Sequence, residues 1–244
     1  MSKSITPPNT SLKALASLAG PIFVANIAII GSGTIDTIMA GQLGKDHLAA
    51  ITLGISATIC VLMGLVGVLQ GLSPIAGHHF GAKRFNLIGE EMIQSFWLGA
   101  FLLLIGLPIL LSTDIWIGLA EVKGDVADMF WTAMALPASL GGRIFISVNA
   151  AVSRPRITMW VSLGMLALKA PLNAVFMYGW LGFPAMGGGG AGVSFFVLSW
   201  LSLCAYALIW KFDGYYKQMH APKFTGPKWS LLKEHLHVGI PIGF

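Results

Sequence analysis

The sequence predicts an all-α integral membrane protein: a six-transmembrane-helix lobe, the first of two parallel six-helix repeats. Three observations carry that expectation. Of 244 residues, 55% are hydrophobic and only 10% charged, far short of the roughly 25% charged residues that a soluble domain uses to cover its surface. The apolar residues gather into six runs of the length, about 20 residues, that crosses a bilayer. The opening of the first run also recurs, in register, at the end of the chain.

The first span, 14–42, follows a polar, turn-rich tail over 1–13 that lacks the small-residue cleavage site of a signal peptide. "GKD" at 44–46 separates it from the second, 48–77, and "GAKRFN" at 81–86 separates that from the third, 92–112. The acidic stretch 112–128 leads to the fourth, 126–152; "SRPR" at 153–156 precedes the fifth, 157–180. "GFPAMGGGG" at 182–190 precedes the sixth, 190–210. The lobe covers 14–212, and a basic linker covers 213–237.

Charge sets the expected orientation. The formal net charge is +5, but the cations are spread over loops and form no basic stripe with aromatic platforms, which argues against nucleic acid. Placing the N-terminus in the cytoplasm puts eleven loop Lys and Arg on that side, against Lys45 and Lys123 outside. Cys60 and Cys204 sit in separate spans without metal-ligand spacing and are expected to be inert packing residues. His78 and His79 are adjacent, so they point apart on a helix and are expected at the membrane interface rather than on a metal. "MGGGGAG" lacks the strand, Lys and Ser/Thr of a phosphate loop and fits an outer turn.

"LKALASLAGPIFV" at 12–24 aligns without gaps to "LKEHLHVGIPIGF" at 232–244, matching Lys13 to Lys233 and Pro21 to Pro241. The end of the chain is therefore expected to begin a second copy, with a seventh span opening at 238, in a protein of about twice this length.

Three ionisable residues lie inside spans: Asp36, Arg143 and Lys169. Each costs about 2.5–3.5 kcal/mol at a helix centre, so burial in the bundle or in a wet cavity is expected. At about 1.5 Å per helical residue, Asp36 and Lys169 reach similar depths in the outer half of the membrane, where they could pair. Asn173 shares a face with Lys169 four residues away, and Ser162 extends it; Ser139, Arg143 and Ser147 make a similar stripe on the fourth span. Arg143 either lines a cavity or neutralises an acid. Asn26 lines the cavity or bonds a neighbouring helix. Phe176 and Met177 offer adaptable, cation-friendly walls or serve as packing. The Asp36–Lys169 pair itself fits ion coupling or plain helix-to-helix attachment.

The ordered stretches "GPIFVANIA", "IDTIMAGQLGKDHLAA", "GAKR" and "PLNAVFMYGWLGFPAMGGGGAGV" resemble the multidrug and toxic compound extrusion (MATE) family, in its bacterial NorM-type branch. The resemblance implies a bacterial inner-membrane antiporter with two six-helix lobes facing a central cavity. It exports bulky organic cations in exchange for H+ or Na+, with no other cofactor, and its first-helix acid, here Asp36, couples ion to substrate. It also implies membrane lipid and a C-terminal lobe as partners. The chain departs from the family at "KAPLN", where Lys169 stands in place of the usual asparagine and Pro171 and Asn173 are retained. In the fourth span Val148 occupies a usually polar position. A lipid or lipid-linked saccharide flippase of the same superfamily remains an alternative, since Arg143 and Lys169 outnumber Asp36. An intramembrane enzyme needs two carboxylates or a metal cluster at one depth, and Asp36 is the only acid read there. A non-transporting membrane subunit fits the buried charges less well.

Overall fold

The computed structural model describes residues 12–112, 126–219 and 225–243. Residues 1–11 of the expected tail, 113–125 of the acidic stretch, 220–224 of the expected linker and Phe244 lie outside them. Within the described residues the chain forms eight α-helices and no strand. They are α1 (Leu12–Leu43), α2 (Lys45–Leu69), α3 (Leu72–Gly81), α4 (Phe85–Leu111), α5 (Val126–Ala151), α6 (Pro155–Tyr178), α7 (Gly189–Phe212) and α8 (Trp229–Gly243).

The sequence-level boundaries shift in physically readable ways. The second span is not one helix but two, α2 and α3, separated at Gln70 and Gly71. The third begins at Phe85 rather than 92, because the polar stretch around Glu90 and Glu91 is itself helical. Helix α8 is already helical at Trp229, ahead of position 238, and carries Pro241 inside it just as α1 carries Pro21. Five of the spans are long and apolar enough to cross a membrane. The one outside that set is α5, which has the length, 26 residues, but carries Thr132, Ser139, Arg143, Ser147 and Asn149. Its position accounts for its polarity: α5 packs against α2, α3, α4, α6 and α7 and meets protein on most sides.

The core sits where α5 meets its neighbours. Leu136, Leu140, Ile144 and Val148 of α5 are almost fully buried against Val66, Leu69 and Leu72 of α2–α3, Ile88 and Met92 of α4, and Tyr206 of α7. Val148 is thus a core residue, which gives it a packing role at its usually polar position. Outward surfaces are the reverse: Phe23, Ile30, Met63, Leu104 and Trp160 are exposed, as suits positions that face lipid or another lobe. Cys60 and Cys204 are free thiols on this exposed surface.

Two connections share one geometry. Lys83, between α3 and α4, and Ser153, between α5 and α6, both have φ of 58°, the left-handed conformation that ends a helix and turns the chain. After the second, Arg154 forms a 2.5 Å ion pair with Asp213 at the end of α7 and lies 4.5 Å from the Tyr215 ring centre. Burial alone would raise the Asp213 carboxyl, but the backbone N–H of Tyr215 and the Arg154 guanidinium outweigh it and hold it below its ordinary value. Burial pushes the neighbouring Tyr216 phenol up to about 12.

Candidate functional site

Five helices wall a cavity of about 380 Å³, within the range of small-molecule sites. Each helix presents it with a stripe at helical spacing: Ala28, Ser32 and Asp36 from α1, Ile51, Ile55 and Thr58 from α2, Ser139, Arg143 and Ile146 from α5. Ser162, Met165 and Lys169 line it from α6, and Phe195, Ser199, Ser202 and Tyr206 from α7. Apolar surface dominates, and the polar groups converge on two places.

The first is a buried triad. Lys169 is only 1% exposed, and its Nζ lies 2.9 Å from Asp36 Oδ1. Asn173, one helical turn further on, donates from Nδ2 to the same oxygen at 2.7 Å. Helices α1 and α6 pack side by side, so a turn of α6 brings both donors onto one carboxylate. Asn173 Oδ1 is left buried without a protein partner, an acceptor free to take a donor or cation. A bare carboxylate at this depth would be strongly disfavoured; paired with an ammonium and an amide, it is tolerated.

The second place is the hydroxyl-rich wall around Arg143. Ser139 donates to Ser199 Oγ at 3.3 Å, and Ser202 donates to the Ser199 carbonyl oxygen at 2.8 Å. Tyr206 stacks on Phe145 behind this wall, with ring centres 6.0 Å apart.

The structure thus brings Asp36, Lys169 and Asn173 together and puts Ser139, Arg143 and Ser162 on the cavity. The other candidates fall elsewhere. Asn26 is exposed and does not line the cavity. Ser147 is buried in α5 away from it. Met177 is fully buried against Ala40, Ile51 and Ala191. Phe176 packs edge-on against Phe183. Both are packing residues here.

Sequence reading missed Ser32, Ser199, Ser202 and Tyr206, although the four-residue spacing of Ala28, Ser32 and Asp36 signals the first. It also missed a cluster outside the cavity. Glu91 of α4, 5% exposed, meets His235 of α8 at 2.8 Å and His79 of α3 at 3.6 Å. His79 is therefore a partner in a largely buried contact, while His78 points away and is exposed. No group of three or more His, Cys, Asp or Glu able to hold a metal is present among the described residues.

Apolar helices of membrane-spanning length around a cavity that carries a buried ion pair define a polytopic membrane protein. The MatE family model matches residues 21–175, and the chain belongs to this family. It is 33% identical over 239 residues to the probable multidrug resistance protein NorM of Neisseria meningitidis serogroup B, covering 95% of this chain and 52% of that protein. Among solved structures it resembles the MATE transporter NorM-NG, solved in complex with a monobody, at 30% identity and TM-score 0.72, over 96% of this chain and 52% of that one. The eukaryotic MATE transporter AtDTX14, at 19% identity and TM-score 0.80, shares the fold over 95% of this chain and 52% of its own. The chain spans about half the length of the relatives it matches.

Proposed function

We propose that this chain is the N-terminal lobe of a secondary-active exporter of bulky amphipathic drugs, organic cations among them, driven by exchange for H+ or Na+. It sits in a bacterial inner membrane with its N-terminus in the cytoplasm, and a second six-helix lobe completes the cavity. The observation that supports this reading best is Asp36, a carboxylate on the cavity wall whose charge is balanced by Lys169 and which accepts a hydrogen bond from Asn173. A proton or cation arriving at Asp36 competes with the Lys169 ammonium. It shifts the balance of lobe positions only by as much as it binds the two states differently. A relative bearing the name of a multidrug resistance protein supports the cargo class.

The experiment is efflux from a drug-sensitive cell carrying the complete reading frame. Asp36→Asn is expected to keep membrane level and abolish ion-driven efflux of a cationic dye. Undiminished, ion-driven efflux by Asp36→Asn would remove this carboxylate from coupling. A flippase for lipids or lipid-linked saccharides is the second reading, and the positive charge of Arg143 on the cavity favours it.

A further inference from the structure

The charges on the cavity wall do not cancel. Asp36 and Lys169 satisfy each other at 2.9 Å, which leaves Arg143 as the other charged group on the lining. Among the described residues no carboxylate comes within 4.0 Å of its guanidinium. The lining therefore carries one net positive charge, at the Arg143 side. A half-buried cation inside a lobe keeps a desolvation cost that only an opposite charge repays well.

Its surroundings suit such a charge. Ser139, Ser199 and Ser202 face the same cavity. The Ser199 hydroxyl accepts from Ser139 and keeps its own proton to donate to an oxyanion, and Ser139 and Ser202 can turn to one by giving up their bonds to Ser199. The guanidinium is a planar fork that takes a carboxylate or phosphate through two parallel hydrogen bonds. Ile146, Met165, Phe195 and Leu198 supply apolar wall beside it. Arg143 lies eight residues from the Ala151 end of α5, about 12 Å along the helix. Lys169 lies nine residues from the opposite, Tyr178 end of α6. The Arg143 wall is thus displaced towards the expected cytoplasmic side, away from the ion pair.

We propose that Arg143, with Ser139, Ser199 and Ser202, forms an anion subsite that holds the carboxylate or phosphate group of an amphipathic cargo. The inference rests on the reading of this cavity as the cargo site and assigns the charge of the group held at one pole of it. The same chemistry is offered by a free organic acid and by an anionic lipid headgroup entering from the bilayer.

The test uses the protein from its complete reading frame in phosphatidylcholine nanodiscs, with empty nanodiscs as blank. The probes are dansylglycine, an apolar fluorophore bearing a carboxylate, and its neutral amide. A charge-assisted pair contributes about 1.5–3 kcal/mol, so the acid is expected to bind at least about tenfold tighter than the amide. Arg143→Gln should remove that preference and Arg143→Lys should keep part of it. Nanodiscs of equal phosphatidylcholine and phosphatidylglycerol separate the two sources: weakened dansylglycine binding there identifies a lipid headgroup as a competitor, and unchanged binding identifies a soluble acid. Equal binding of acid and amide to the unaltered protein, including no binding of either, overturns the subsite. So does a preference that survives Arg143→Gln. If Arg143→Gln fails to fold, the acid–amide comparison on the unaltered protein still decides. Dye efflux and its dependence on Asp36 are read separately, so the exporter reading can fail while the anion preference stands, and the reverse.

Discussion

At the scale of single residues, the charges inside the spans were legible because so few exist. Asp36 and Lys169 stood out against apolar neighbours, and helical rise placed them at one depth, where the structure has them 2.9 Å apart. Asn173 was legible through its spacing of four from Lys169. The Glu91–His235 contact was not, because Glu91 falls just ahead of the expected third span, 92–112, and His235 in the expected linker, so no helical depth related them. Lys169 leads to a prediction about cargo. An ammonium on Asp36 occupies the position that a cationic group would take, so binding such a group must first displace it. Lys169→Asn, which installs the family-like residue, is expected to tighten binding of a cationic dye by about tenfold, the worth of one charge-assisted contact. Equilibrium binding on both proteins checks this. Unchanged affinity would mean that cations are held away from Asp36.

At the scale of elements, the six apolar runs were legible and their internal breaks were not. Hydropathy is blind to the interruption at Gln70 and Gly71, since both halves are apolar; close packing explains it. A Cβ on Gly71 would lie 2.9 Å from the Gly239 nitrogen, and one on Gly239 would lie 2.1 Å from the Val68 carbonyl oxygen. The end of α2 and α8 meet backbone to backbone there, an approach open only to glycine. The turn from α5 to α6 is tied instead by charge, through Arg154 and Asp213 at the end of α7. Because the folded Asp213 carboxyl titrates below its ordinary value, its contribution is fully present above the unfolded pKa. It is lost as pH falls through the folded value. The pair is about a third exposed, so its worth near neutrality is at most about 1 kcal/mol. Asp213→Asn is therefore expected to lower the unfolding midpoint slightly above roughly pH 5 and to converge with the unaltered protein in stronger acid. Melting curves across pH test it, and a constant offset at every pH would contradict the assignment.

At the scale of the whole molecule, the alignment of 12–24 with 232–244 runs over thirteen ungapped positions, and residues 12–24 and 232–243 both fall in helices with an internal proline. What the alignment could not show is where the later segment rests. Helix α8 packs on α2, α3 and α4, and four polar contacts hold it and the residues just before it there. Glu91 meets His235, Glu90 pairs with Lys228, and Gln94 receives the Lys228 N–H at 2.7 Å while donating to the Gly226 carbonyl oxygen at 3.0 Å. Glu91 and His235 are the most protected of these pairs, His235 being 0% exposed, so that contact is the one solvent competes with least. A buried partner left without its hydrogen bond costs about 1–3 kcal/mol. Glu91→Ala and His235→Ala are each expected to lower the unfolding midpoint and to speed proteolysis of the segment 213–228 that leads to α8. Glu91→Gln, which keeps a hydrogen-bonding group, should do less. The double substitution decides whether the two act together: a loss clearly smaller than the sum of the singles is expected for partners in one contact. Strictly additive losses, or unchanged proteolysis in both singles, would show that the Glu91–His235 contact does not hold α8 in place.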